Sequence, residues 1–531
     1  MVIKDLNPIE TIGGHIKTGN NFVLNGGAGS GKTRSLIDVI DLLHNNDSTC
    51  KIACITFTNV AADEITKRVL DKSINLRAST IHDFLWDIIK HYKKNLKQTL
   101  LQLIQSGDIK YSGEEKLSDE TFKSKSIEYR EWVKLEDGTI SHNEVLQLAN
   151  KLFKESQLLR RIMSDKYDFI LIDEYQDTEK QVIEIFLNYL QEEHKHPLIG
   201  LFGDSMQSIY DKGIGDLHEY ISSGSIKEVP KVDNWRCAKS VITLINKIRN
   251  DGLQQKPAGK NLVGKITFLY SNADQINMKT IKKHKSFADF DFTKHSENKE
   301  LYLTHKLIAS QFGFVNLLNN YQYKQSLTGD NPDKLIKHLF QIQEIIFLYK
   351  GNKYNDFIRK TDYKILKNSD LKILKENIDL LKNHSSKTIE EVINLAYKLK
   401  LVQKDDSLQS FILDHEEQYN KVKDLQYSEV VSLYEYRSEH SPYSTQHGVK
   451  GTEYDNVFVV LDNGNWNQYN FTYLFENRED KEAIITRTRK IFYVCCSRTK
   501  DNLIVYYHNP NQTVIDKAKE WFGKDNTISI S

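Results

Sequence analysis

Cysteine is scarce in this chain of 531 residues: the five present, Cys50, Cys54, Cys237, Cys495 and Cys496, are odd in number and include no CxxC pair. Neither a disulfide framework nor a zinc site is suggested, and a reducing cytoplasm fits best. Long apolar runs are missing too: nothing approaches the roughly 18 residues that span a bilayer, and the start, MVIKDLNPIE, has no basic segment followed by an apolar stretch. The expectation is a soluble chain with no membrane partner. Excess charge of one sign is also lacking, since 73 Lys plus Arg face 72 Asp plus Glu. Any polyanion-binding surface must therefore be local. Only 7 prolines, with 39% hydrophobic and 27% charged residues, describe an ordered globular protein. No short-period repeat or low-complexity tract is present. The length predicts about three or four domains.

The fold class reads as α/β. Asn21 to Leu24 is a short strand before a glycine turn, and Ser35 to Leu43 has helical spacing. A second strand, Lys51 to Phe57, leads into a helical pattern over Ala61 to Val69, an alternation that predicts a parallel sheet. Residues 87–160 read as a Lys-rich helical insertion carrying a small hairpin with an Asp137-Gly138 turn. Strands resume at Tyr167 to Glu174 and Leu198 to Asp204, both ending in carboxylates, where α/β sheets place ligands. Helical periodicity over Leu366 to Leu381 and Ile389 to Leu401 marks a helical insert at about 316–435, and strands return at Asn456 to Leu461 and Asn502 to Tyr507.

Residues 26 to 33 read Gly26-Gly27-Ala28-Gly29-Ser30-Gly31-Lys32-Thr33, a full G-x4-G-K-T between strand and helix. Such a loop turns backbone N–H groups onto phosphate oxygens, lets Lys32 reach the β/γ-phosphates and offers the Thr33 hydroxyl to Mg²⁺. A strand-terminal pair, Asp173-Glu174, can supply a metal ligand and a group that orients or deprotonates water. Together these predict ATP hydrolysis.

With those residues in view, the chain resembles superfamily 1 helicases of the UvrD/Rep/PcrA kind, through seven motifs in order. Thr56-Phe57-Thr58-Asn59 with Ala61-Ala62 and Glu64, Thr80-Ile81-His82-Asp83-Phe84, Asp173-Glu174-Tyr175-Gln176-Asp177-Thr178 and Gly203-Asp204-Ser205-Met206-Gln207-Ser208-Ile209-Tyr210 follow the phosphate loop. Asn234-Trp235-Arg236, Thr445-Gln446-His447-Gly448-Val449-Lys450-Gly451-Thr452-Glu453-Tyr454 and Phe492-Tyr493-Val494-Cys495-Cys496-Ser497-Arg498-Thr499 complete the set. The resemblance implies two RecA-like P-loop cores with parallel sheets and two mostly helical insertions: 1–86 with 161–235 as first core, 87–160 as accessory insertion, 236–315 with 436–531 as second core, and 316–435 as a reduced helical accessory domain. It implies Lys32, Glu174, Gln207, Arg236 and Arg498 as catalytic, Thr33 and Asp173 as holders of Mg²⁺, and Arg34, Trp235 and Glu453 beside the ATP base and ribose. Phe57, Thr58, Asn59, His82, Tyr210, Thr445 and His447 would contact single-stranded, tailed or duplex DNA, with translocation in the 3′ to 5′ sense. Taken singly, the aromatics and histidines read better as packing residues, and the ordered context reverses this only in part for the aromatics. The ordered context decides for Gln207, Arg236 and Arg498.

Departures matter. The family's adenine motif has a glutamine where this chain has Glu10 in Leu6-Asn7-Pro8-Ile9-Glu10; ionised Glu10 can only accept, which loosens the expected preference for ATP. After Tyr210 the family places another aromatic, whereas Asp211-Lys212-Gly213-Ile214-Gly215 stands here, so one stacking platform is missing. His447-Gly448 lacks a hydroxyl of the family pattern, and no nuclease domain is expected after the last core strand. This compact form, with Tyr302-Leu303-Thr304-His305-Lys306, also resembles helicase-like subunits that accompany a separate nuclease, of the OLD-family kind, in antiphage defence such as the Gabija type. Two functions stay open: a DNA translocase or helicase, or a DNA-stimulated ATPase that activates a nuclease partner without unwinding.

Overall fold

A computed structural model of the protein describes residues 7–72, 74–111, 116–130, 133–210, 212–272, 278–303, 305–329, 332–361, 363–384, 386–403, 406–437, 443–445, 450–463 and 468–530, with the side chains of 71, 406, 407, 443 and 445 left out. The chain forms two compact units, Met1–Lys265 with Glu479–Asp501, and Ile266–Arg478 with Asn502–Ser531.

The first unit is built on a parallel sheet of β1 (Phe22–Gly26), β2 (Ile52–Thr56), β3 (Leu76–Thr80), β4 (Phe169–Asp173), β5 (Leu198–Gly203) and β6 (Lys227–Lys231), in the order β3-β2-β4-β5-β1-β6. Alternation along the strands divides its two faces. Phe22, Leu24, Leu171 and Phe202 pack on one side, against α1 (Pro8–Lys17), α2 (Lys32–Asn46) and α3 (Asn59–Val69). Val23, Ile170, Ile172, Ile199 and Leu201 face the other, which is covered by α4 (Ile81–Ile89) and α5 (His142–Glu155). The insertion's apolar residues, such as Leu100 and Phe122, join that second core. Burial on both faces explains why the strands read as continuous apolar runs. Register matters for function: Asn25 pairs with Gly203 and Asp173 with Phe202, so the loops after β1, β4 and β5 open at one sheet edge.

The expected hairpin takes a different form. Gly138 does turn the chain, at φ +79°, where a Cβ would lie 2.5 Å from the Ser126 carbonyl oxygen. Glu128–Tyr129, however, runs parallel to Thr139–Ile140. The stretch before the turn is long enough to loop back, with Lys134 making the antiparallel bridge to Thr139 instead. The unit is completed by α6 (Lys239–Ile248) and α7 (Glu482–Cys496). Residues 236–265 and 479–501, expected from the sequence in the second core, fall in this unit, where Gln255 and Tyr493 bond to Ala28 of the phosphate loop.

The second unit carries β7 (Lys265–Ser271), β8 (Asn298–Tyr302), β9 (Tyr443–Thr445), β10 (Tyr454–Leu461), β11 (Thr499–His508) and β12 (Thr527–Ser529), in the order β9-β8-β10-β11-β7-β12. Strand β8 is parallel to β9 and β10, and β7 to β12. Helices such as Lys334–Lys350, Asn368–Leu381 and Ile389–Lys398 bury Ile342, Ile378 and Val392 in one core with Leu269, Phe458 and Ile504 of the sheet. The two units are RecA-like in class: α/β, with helical insertions.

Candidate active site and nucleic-acid interface

The loop after β1 is a cradle with little spare room. Gly29 and Gly31 adopt φ of +73° and +77°, and a Cβ on Gly29 would come within 2.6 Å of Arg236 Cβ. Lys32, the first residue of α2, donates from Nζ to the Gly26 carbonyl at 3.0 Å and is buried. Ser30 Oγ is buried with no partner among the described residues. An orphaned hydroxyl beside a lysine at a helix N-terminus suits a phosphate oxygen.

Two carboxylates stand at the end of β4. Asp173 is buried, and burial together with the Glu174 charge pushes its carboxyl up to about 7, against the pull of Lys32 and a hydrogen bond from Thr33. A divalent cation would relieve that unfavourable pairing, so the donors Thr33 and Asp173 fit one. Glu174 has φ +52°, a left-handed conformation uncommon for a residue with a side chain. The geometry turns it off the strand, where its carboxylate accepts from Gln176 Nε2.

Gln207 lies in a one-turn helix after β5 and donates from Nε2 to Asp204 Oδ2 at 2.9 Å. Its Oε1 accepts from Arg498 Nη2 at 3.2 Å. Arg498, just beyond α7, also donates from Nε to Val494 O at 3.1 Å. Burial, then the nearby Arg236 charge, pulls its guanidinium down to about 10. The peptide N–H of Trp235 donates to Gly29 O at 2.8 Å, and Asn234 Nδ2 to Ala28 O at 3.0 Å. Arg236 donates from Nη1 to Ser497 O at 3.4 Å. Arg236 thus packs on the phosphate loop with the Arg498 guanidinium near enough for the two charges to interact, an arrangement that favours a polyanion.

Beside the loop lies a cavity of about 890 Å³ lined by Asn7, Pro8, Ile9, Ser30, Gly31, Arg34 and Trp235 among others. Trp235 is 60% exposed, offering a ring face to a base. Arg34 pairs with Asp38 at 3.1 Å. Glu10 is exposed on α1 and is not among the lining residues, although its neighbours Ile9 and Thr11 are. Glu453 is exposed immediately before β10, in the second unit.

A second cavity, about 410 Å³, opens at the ends of β2 and β4. The exposed rings of Phe57 and Tyr210 stand 6.0 Å apart, inclined by 12°. Thr58 caps α3 by accepting the Ala61 N–H at 3.2 Å, and Asn59 is exposed in its first turn. The His82 ring lies 4.6 Å from that of His142, whose Nδ1 bonds to the Tyr129 hydroxyl. Burial and His142 pull His82 down to about 4, so it is neutral at pH 7. Thr445 falls in β9 with its side chain outside the described residues. His447, Asp211 and Thr304 lie outside them altogether.

Sequence reasoning missed Arg249 and Gln255 and gave Tyr493 no role. Gln255 donates from Nε2 to Ala28 O at 3.0 Å, and the Ala28 N–H donates to the Tyr493 hydroxyl at 2.9 Å. Arg249 and Gln255 sit in no motif, and the one signal in the sequence was a lone arginine near Asp251 after an apolar helix.

This fold and site are those of a P-loop ATP hydrolase, similar to helicases of the superfamily 1, UvrD-like kind. A family model described as an AAA domain matches residues 11–212. Along nearly its whole length the chain is similar to Gabija protein GajB of Bacillus cereus (strain HuB5-5), 27% identical over 97% of each chain. GajB of Bacillus cereus (strain VD045) is 25% identical over 93% of this chain and 94% of its own. ATP-dependent DNA helicase PcrA of Staphylococcus aureus (strain Mu50 / ATCC 700699) is 26% identical over 52% of this chain and 44% of its own. The chain is thus a helicase-like ATPase related to PcrA and to GajB.

Proposed function

We propose that the chain uses ATP hydrolysis to move along single-stranded DNA, in the 3′ to 5′ sense, and to unwind tailed duplex. The observation that supports this most is the segment 204–210: it sends Gln207 inward to Arg498 at the phosphate loop and Tyr210 outward to stack by Phe57. A change felt by Gln207 at the phosphate is thereby carried within three residues to a base-stacking ring.

In this reading Lys32, the Gly26–Gly31 backbone and Ser30 hold the phosphates, Trp235 and Arg34 flank the base, and Glu453 meets the ribose. Glu174 accepts a proton from the attacking water. Gln207, Arg236 and Arg498 stabilise charge on the transferring phosphoryl oxygens. Thr33 and Asp173 would hold Mg²⁺, which when bound neutralises charge on the phosphates. Thr58, Asn59, His82, Thr445 and His447 join Phe57 and Tyr210 as strand contacts.

The test is steady-state hydrolysis without nucleic acid and with single-stranded DNA, duplex, tailed duplex and single-stranded RNA, with strand displacement scored in the same tubes. Stimulation by single strands with displacement of tailed duplex supports the motor. The likeness to GajB along the whole chain, and the absence from the sequence of a second aromatic after Tyr210, favour a second reading. In it the chain is a DNA-responsive ATPase that activates a nuclease partner in antiphage defence. Hydrolysis that responds to DNA without displacement, together with a copurifying nuclease, selects that reading.

A further inference from the structure

Arg249 follows α6 and is buried at the centre of a polar network that ends on the phosphate loop. Its guanidinium forks onto Asp204, Nη2 to Oδ1 at 3.1 Å and Nη1 to Oδ2 at 3.3 Å, and reaches Asp251 from Nε at 3.0 Å. Nη1 also donates to the Tyr493 hydroxyl at 2.7 Å. That hydroxyl accepts the Ala28 N–H at 2.9 Å and donates to Asp204 Oδ2 at 3.1 Å, which satisfies it. Asp204 in turn takes the Gln207 amide, and Gln207 takes Arg498. Burial works against the charge on Arg249, but Asp204, Tyr493 and Asp251 outweigh it and raise its pKa; Arg249 and Lys32 similarly keep Asp204 ionised despite its burial.

We infer that Arg249 is a positioning residue for hydrolysis: by fixing the Tyr493 hydroxyl it makes the helix that leads to Arg498, the Gln207 turn and the phosphate loop move as one body. The inference rests on the assignment of hydrolysis to this loop. A salt bridge serving stability alone would need only Asp204 and Asp251. Here the same guanidinium also orients a tyrosine whose oxygen holds a loop N–H, and Tyr493 stands five residues before Arg498, in the last turns of the helix that ends at Cys496. Lysine in place of Arg249 keeps the charge but has one point of donation where the fork has three, so it cannot hold Asp204, Asp251 and Tyr493 together.

The experiment compares wild type, Lys32→Ala, Tyr493→Phe, Arg249→Lys and the Tyr493→Phe/Arg249→Lys double variant. It measures kcat and KM for ATP, the Kd of a fluorescent non-hydrolysable ATP analogue, and the melting temperature. Tyr493→Phe removes one oxygen and keeps the ring, so it is the variant safest for folding. The expected result is a roughly tenfold or larger fall in kcat for each single variant, with analogue Kd within about threefold, and a double variant no worse than the poorer single one, since the residues act as a unit. Wild-type kcat in a folded Tyr493→Phe or Arg249→Lys protein overturns the inference. So does a loss that multiplies in the double variant, or one that follows melting temperature and analogue Kd equally. Hydrolysis retained by Lys32→Ala would instead overturn the assignment of the loop itself, and the inference with it.

Discussion

Arg498 donates from Nη2 to Gln207 Oε1 at 3.2 Å, and both side chains are buried although 291 positions separate them in sequence. A guanidinium held this way costs desolvation, visible in its pKa of about 10, and still keeps its charge at pH 7. The arrangement makes sense as a pre-positioned group for a developing phosphoryl charge. Arg498→Ala is expected to lower kcat on the order of 10³-fold, the range for an arginine that stabilises such a transition state. Gln207→Ala should fall in the same direction, and the double variant should lose less than the product of the two. Steady-state kinetics on the four proteins measures that coupling.

In the proposed mechanism Lys32 and Glu174 act at different stages, so their variants should separate. Lys32→Ala removes the donor to Gly26 O and the charge that faces the phosphates, and hydrolysis should drop by about 100-fold or more with a weakened nucleotide Kd. Glu174→Gln keeps the shape and removes the base: nucleotide Kd should stay within a few fold while kcat falls roughly 10²- to 10⁴-fold. Fluorescent-nucleotide titration beside phosphate-release assays distinguishes the two patterns. A Glu174→Gln protein that turns over normally would remove Glu174 from the mechanism.

Much of this site was legible because its parts are local. The phosphate loop is eight consecutive residues whose glycines are required by φ at Gly29 and Gly31 and by close packing on Arg236, and the carboxylates announce themselves at strand ends. The sheet register, unreadable from any one strand, is what brings Gly26, Asp173 and Asp204 to one edge. Arg249 and Gln255 were illegible because, the neighbouring Asp251 apart, the partners that tie them to the site, Asp204, Tyr493 and Ala28, lie far away in sequence. Glu10 shows the same limit on a smaller scale: the motif places it on α1, but which side of that helix faces the cavity depends on how Ile9 and Ile12 pack. The Glu128–Tyr129 pairing went the same way, since alternation near a turn does not fix strand direction.

Phe57 and Tyr210 should matter to DNA and to each other. Their rings are nearly parallel and exposed, a geometry in which stacking can supply part of the hold on a strand. Loss of either ring is expected to cost on the order of 1–3 kcal/mol per stacked base. Phe57→Ala or Tyr210→Ala should therefore raise the single-strand concentration for half-maximal ATPase stimulation by about tenfold or more, read from hydrolysis titrated with oligonucleotide. Conservative Tyr210→Phe should keep most of the affinity. An unchanged titration for both alanine variants would move the strand to another surface.

His82 supplies a pH prediction whose sign is fixed by its surroundings. Burial first, then His142 on α5, lower its pKa in the folded protein to about 4, against the opposing charge of Asp83 on its own helix. Asp173, Asp177, Glu179 and Lys212 line the same cavity, and Tyr129 bonds to His142. An unfolded histidine titrates near 6.5, so between about pH 4 and 6.5 the unfolded chain binds a proton that the folded chain refuses. The contribution is complete above pH 6.5 and is lost as pH falls through that window. Wild type should therefore lose more melting temperature between pH 7.5 and pH 5.0 than His82→Asn does. Because both proteins share every other titrating group, the difference between their slopes isolates His82. Equal slopes would mean that the folded and unfolded states hold this ring at the same pKa.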